Sequence, residues 1–141
     1  MTDLNFEITV GRPKPKDYKT LSEGMLSYHA KQGHQRTSEI INIFLKDKNK
    51  KIHGGIIVTV LWNGMEINSL WVEESLRGKS WGSKLIAAAE KEGKKRGCTI
   101  IYTNTFTWQA PHFYEKLGYK PYGKLEDFPP ENSLTYYSKN L

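Results

Sequence analysis

The segment Leu70–Cys98, LWVEESLRGKSWGSKLIAAAEKEGKKRGC, constrains the fold more than any other part of the chain. An apolar run ends in two acids, a turn of glycine, hydroxyl and positive charge follows, and a long amphipathic pattern closes on Gly97. Trp81, Leu85, Ala88 and Ala89 share one face at helical spacing, and Gly97 stands where a helix commonly ends on a left-handed residue. The next run, CTIIYTNTF, has the composition of a buried strand. Strand, helix and strand in succession cross over right-handed, which makes the two strands parallel neighbours.

The other segments must fit around that unit. LNFEITVG reads as a strand, and PKPKDYKTLSEGMLSYHAKQGH as a helix begun after prolines, with Tyr18, Leu21, Met25 and Leu26 at helical spacing. SEIINIFLKDKNKKIHGGIIVTVLW is a hairpin about a lysine-rich turn, and the Asn-Gly that follows turns the chain into a further antiparallel strand, EINSLWV. After the central unit come a short helix, QAPHFYEKLG, ended by Gly118, and two strands, YKPYGKL and SLTYYSKNL. The expected class is α/β, more narrowly α+β: a mixed, mostly antiparallel sheet flanked by helices. At 141 residues and 38% hydrophobic content the chain suits a single domain over residues 1–141 with one core.

Composition excludes several classes. The apolar runs are too short for a bilayer and the N-terminal residues lack the pattern of a secretory signal, so a cytoplasmic protein without a membrane partner is expected. Cys98 is the sole cysteine, and His29, His34, His53 and His112 are scattered, so no metal site is expected. The net charge of +6 suits an anionic partner. Its lysines and arginines gather at a turn (Lys46, Lys48, Lys50, Lys51) and a helix end (Lys91, Lys94, Lys95, Arg96), where solvation and the helix dipole account for most of them. Dispersed charge without a nucleic-acid motif makes a DNA- or RNA-binding domain the weakest reading.

A helix N-terminus carries free N–H groups and the positive end of the dipole, and small residues let an anion reach them. Gly78, Ser80, Gly82 and Ser83 give that access while Arg77 and Lys79 add charge, each charge-assisted bond to a phosphate contributing roughly 1.5–3 kcal/mol. The spacing from Gly78 to Gly82, followed by Ser83-Lys84, is one residue short of GxxxxGK[ST] and inverts its ending, and it is not GxGxxG. Taken alone, such a turn is better explained by close strand–helix packing.

Together with FYEKLGY, the segment resembles the GNAT superfamily of N-acetyltransferases, whose signature is Arg or Gln, two residues, Gly, one residue, Gly or Ala. Arg77, Gly78, Lys79, Ser80, Trp81 and Gly82 occupy it, with Ser80 in the place of the first signature glycine. The resemblance implies the fold of that family over most of the chain and acetyl-CoA as cosubstrate. The pyrophosphate would lie on Arg77–Ser83, and the pantetheine arm on the backbone of Leu70, Trp71 and Val72. It further implies an oxyanion donor in the Leu70 N–H and a leaving-group donor in Tyr114, which also borders the cofactor. Reference pKa values put full proton transfer from tyrosine to a thiolate uphill by about 2 kcal/mol, so hydrogen-bond donation is the safer role.

Glu66 matches a position that some members use for a base. Strand alternation places Glu66, Asn68, Leu70 and Val72 on one side, where Asn68 would hold a water but not act as a base. An acceptor pocket is expected from Trp62, Phe106, Trp108 and KLEDFPPENS, where Glu126, Asp127 and Glu131 favour a cationic amine. Packing explains the aromatics, and solubility the acids, better than a role in the pocket does. Transfer of acetyl to a primary amine of a small molecule or peptide is the leading function, with a catalytically silent acyl-CoA sensor as the rival. A homodimer is ordinary for the family.

Overall fold

The computed structural model describes residues 5–141. They form two compact units, one ending at Arg36 and the other Thr37–Leu141. In the first, α1 (Pro15–Lys31) starts on Pro15, whose missing N–H is no loss in a first helical turn, and carries Asp17 at its positive end. The strand expected at LNFEITVG begins outside the described residues, and residues 5–10 take no regular structure. Their alternation is that of a strand, yet Phe6, Ile8 and Val10 are 83%, 98% and 99% exposed. A strand needs a ladder for its backbone groups, and these residues have none.

The second unit follows the sequence reading element for element. Strands β1 (Ser38–Lys46), β2 (Ile52–Leu61) and β3 (Gly64–Val72) form an antiparallel meander. A single 3-10 turn at Glu74–Leu76 leads to α2 (Trp81–Lys95). Then come β4 (Ile100–Phe106), α3 (Pro111–Lys116), β5 (Lys120–Glu126) and β6 (Ser133–Asn140). The sheet order is β1-β2-β3-β4-β6-β5, antiparallel throughout except for β3 and β4. Helix α2 ends as its sequence requires. Gly97 takes φ 78, and the N–H groups of Gly97 and Cys98 return to the carbonyls of Lys94 and Gly93 at 3.1 and 2.9 Å.

The core lies between one face of this sheet and α2 with α3. Ile56, Val58, Met65, Ile67 and Ile101 meet Leu85, Ile86 and Ala89 of α2 and Tyr114 of α3. Each of the larger aliphatic side chains and Met65 contributes about 1.5–3 kcal/mol on burial. Residues between these on the strands (Thr59, Glu66, Tyr102) therefore look out from the opposite face.

Two irregularities shape the site. The β3–β4 ladder holds only from Gly64↔Ile100 to Glu66↔Tyr102, and beyond it the strands part. On the other side of β3, Ile57 pairs with Ser69 but Val58 pairs with Ile67, which leaves Asn68 as a bulge. Such a bulge bends the strand and shifts its alternation by one residue. The expected common face of Glu66, Asn68, Leu70 and Val72 is thus corrected: Glu66 and Asn68 stay together, whereas Leu70 and Val72 turn inward and pack against the core.

Candidate active site

Where β3 and β4 separate, a cavity of about 410 Å³ opens. Ile67–Leu70 form one wall and Thr103–Phe106 the other, and Gln109, Ala110, Phe113 and Tyr114 close the end. The Thr103 hydroxyl bridges the gap by donating to the Ile67 carbonyl at 3.2 Å. Gln109 shapes the rim, its side-chain oxygen accepting from the Phe106 N–H at 2.8 Å.

Tyr114 projects from α3 into this wall, the residue 6% exposed and its ring packed edge-on against Phe113 and Tyr119. Burial pushes its hydroxyl above the ordinary tyrosine value, opposed in part by a hydrogen bond with the Thr103 side chain. The group is therefore a neutral O–H at the cavity wall, able to donate a hydrogen bond but poorly able to give up its proton. Leu70 lines the same cavity from the other strand.

The glycine turn adjoins the cavity through Phe113. A Cβ at Gly82 would stand 3.3 Å from that ring, so the first turn of α2 lies against the aromatic wall. Gly78 takes φ 77, and Ser80 takes φ 66 and ψ 14. Ser80 thus follows the left-handed path usual for glycine, at roughly 1–2 kcal/mol for an L-residue. The first turn of α2 has no side-chain cap, and its first intrahelical bond runs from the Lys84 N–H to the Ser80 carbonyl. The N–H groups of Trp81, Gly82 and Ser83 consequently face outward at the positive end of the helix. Arg77 is anchored by Nε donating to the Val72 carbonyl at 3.0 Å, and Lys84 Nζ lies 4.3 Å from the centre of the Trp81 ring.

On the face turned away from α2 and α3, Glu66 is held in a chain. The Thr59 hydroxyl donates to Asn68 Oδ1 at 2.7 Å, and Asn68 Nδ2 donates to Glu66 Oε1 at 2.8 Å. Asn68 also lines the cavity, so this chain reaches the gap between the strands.

The expected acceptor residues divide. Phe106 lines the cavity, and its ring stacks on Trp108 at 4.8 Å and meets Phe128 at 5.8 Å. Glu126, Asp127 and Glu131 line a separate hollow of about 370 Å³ with Thr107, Asn132 and Ser133. Trp62 does not join them. It sits at the β2–β3 turn, where the Thr99 N–H donates to the Asn63 carbonyl at 2.8 Å, beside the start of β4 rather than its cavity end. Among the described residues, no group of His, Cys, Asp and Glu is arranged to hold a metal ion, and no helix is long and apolar enough to cross a membrane.

Other features escaped the sequence reading. His53 is clamped between Asp47 and Glu73, with each ring nitrogen 2.7 Å from a carboxylate. Asn104, Thr105, Gln109 and Phe113 line the cavity although nothing in their spacing marks them. The bulge at Asn68 did leave a trace: Met65, Ile67, Leu70 and Val72 alternate, but with a phase slip across Asn68-Ser69.

The chain is 32% identical over 96 residues to the blasticidin-S acetyltransferase of Streptomyces morookaense, an alignment covering 67% of this chain and 71% of the relative. Its structure resembles that of an acetyltransferase from Bacillus cereus, with a TM-score of 0.85 and 29% identity over 95% of this chain and 98% of the other. It also resembles an aminoglycoside 6'-N-acetyltransferase solved with coenzyme A, with a TM-score of 0.64 and 26% identity over 72% of this chain and 73% of the other. Residues 11–119 match the profile of the acetyltransferase (GNAT) family, and the chain belongs to that family.

Proposed function

We propose that this acetyltransferase moves the acetyl group of acetyl-CoA directly to a primary amine of a small molecule or peptide, in a ternary complex. The carrying observation is the cavity at the parting of β3 and β4, bordered by Tyr114 and joined through Phe113 to the uncapped N-terminus of α2. The aminoglycoside acetyltransferase complexed with coenzyme A supports the cofactor, and the blasticidin-S and aminoglycoside relatives support an amine acceptor. The family match crosses both units, which supports reading the chain as one catalytic domain.

In this reading the N–H groups of Trp81, Gly82 and Ser83, with Arg77, Lys79 and the turn through Gly78 and Ser80, hold the pyrophosphate. The pantetheine arm lies along Leu70, Trp71 and Val72. Glu66, or a water held by Asn68, takes the proton of the arriving ammonium. The neutral nitrogen then attacks the thioester carbonyl carbon, and the Leu70 N–H receives the resulting oxyanion. When the C–S bond breaks, its electron pair goes to sulfur, the nitrogen's surplus proton leaves to solvent water so that a neutral amide forms, and the Tyr114 hydroxyl donates a hydrogen bond to the thiolate, which takes up a proton from water after release. The raised pKa of Tyr114 favours that role over full proton transfer.

The test is a panel of amines, aminoglycosides and peptides incubated with acetyl-CoA, with thiol release followed by a thiol-reactive dye and products identified by mass spectrometry. Release of coenzyme A matched by an acetylated amine is expected. Tight acetyl-CoA binding with no acetylated product across the panel would instead favour the silent sensor.

A further inference from the structure

Strand β5 breaks its pairing with β6 at one place. Pro121 lies opposite Tyr137 and Gly123 opposite Tyr136, so Tyr122 is a bulged residue with no cross-strand partner. Bulges re-aim side chains. Tyr122 turns its ring toward that of Tyr136, with centroids 5.9 Å apart at 50°, and it remains 59% exposed.

The register shows which face they share. Tyr136 lies opposite Asn104, and Glu66 lies beside Tyr102. Buried Ile101, Thr103 and Tyr137 occupy the other face, so Glu66, Tyr102, Asn104 and Tyr136 look out from the side turned away from α2 and α3. The charge of Glu66 is felt at Tyr122: after burial and Tyr136, it is the third influence raising that hydroxyl's pKa. Asn104 and Asn68 both line the cavity, and Asn68 binds Glu66, so this surface is continuous with the gap where acetyl transfer is placed.

We infer that Tyr122 and Tyr136, together with the Glu66 carboxylate, form a recognition site for an alkylammonium group of the acceptor. The inference rests on the transferase reading and adds the residues that select a cationic acceptor. Two electron-rich ring faces and one carboxylate suit an organic cation, and they offer a neutral or anionic acceptor nothing comparable. Tyr122 is a specificity residue here, one that touches the acceptor and takes no part in bond making.

Ring-labelled tyrosine NMR on the whole chain tests this without needing the natural acceptor. The Tyr122 and Tyr136 signals are assigned from the Tyr122→Phe and Tyr136→Phe spectra. The protein is then titrated with 1,4-diaminobutane, butylamine and, as neutral control, 1-butanol. Both amines should shift the two signals saturably, and butanol should not. Glu66→Gln should weaken amine binding severalfold, and Tyr122→Ala should weaken it about 3- to 30-fold. Signals that stay still, that move equally with butanol, or that respond unchanged in Glu66→Gln would overturn the inference. Calorimetry with acetyl-CoA on the same preparation separates the two readings. If acetyl-CoA binds and the tyrosines do not respond, the cation site falls alone. If acetyl-CoA does not bind, the transferase reading falls, and the cation site is judged on the tyrosine shifts.

Discussion

Tyr114 is the residue on which chemistry and packing are hardest to separate, because its ring is a core element while its hydroxyl borders the cavity. Tyr114→Phe keeps the ring against Phe113, Tyr119 and Tyr137 and removes only the O–H. A donor to the leaving thiolate acts in the transition state, so kcat should fall about 10- to 1,000-fold while acetyl-CoA affinity changes little. The melting temperature should move only slightly, since Thr103 keeps its bond to the Ile67 carbonyl. Both quantities are to be measured on the same variant. A protein that is clearly destabilised but turns over normally per folded molecule would make Tyr114 a structural residue.

At the scale of elements, the turn before α2 and the bulge in β3 do opposite things to legibility. The turn from Arg77 to Ser83 shows its small residues and helix start in the sequence, but alone it fits close strand–helix packing, and only the family resemblance favours an anion site. Gly82 offers the direct test. Gly82→Ala introduces only a Cβ at 3.3 Å from Phe113, which a slight ring movement relieves, whereas Gly82→Asp adds a negative charge beside the phosphates. Calorimetry should show acetyl-CoA binding nearly kept in the alanine variant and weakened about 10- to 100-fold in the aspartate variant. Near-normal affinity in a folded Gly82→Asp protein would place the pyrophosphate elsewhere. The β3 bulge was harder to see. Simple alternation puts Glu66 and Leu70 on one face, and only the paired polar residues Asn68-Ser69 betray the slip. A partner strand decides register, and a partner strand is remote in sequence. The same holds for Asn104, Thr105 and Gln109, which become cavity lining only because β4 parts from β3. Residues 5–10 show the reverse error, in which a strand pattern finds no ladder.

Across the Thr37–Leu141 unit, charged braces tie together elements distant in sequence, and they set how its stability responds to pH. Arg96 at the end of α2 binds Glu39 of β1 and Glu92 of its own helix, and this guanidinium is the leading cause holding both carboxyls below their ordinary values. His53 joins Asp47 of the first hairpin to Glu73 at the end of β3. Its hydrogen bonds to Asp47 and then Glu73 raise its pKa above the ordinary 6.5. Asp47 is lowered chiefly by His53, and Glu73 chiefly by the Ser75 hydroxyl and then His53. The signs follow from linkage. A group with a raised folded pKa contributes fully below its unfolded value and loses that contribution as pH climbs through the folded one, so the His53 brace weakens above pH 6.5. The lowered carboxyls contribute above their unfolded values of 3.8 and 4.5 and lose this as pH falls through their folded values. The braces therefore act together between about pH 5 and 6.5, and the alkaline side of that window belongs to His53. All these groups are solvent-accessible, so the effect is modest and screened by salt. Melting temperatures from pH 4 to 9 at constant low ionic strength should fall on the alkaline side in the wild type, and His53→Gln should flatten that limb while leaving the acid limb set by Glu39 and Glu92 in place. Identical alkaline slopes in the two proteins would show that the brace adds nothing to the folded state.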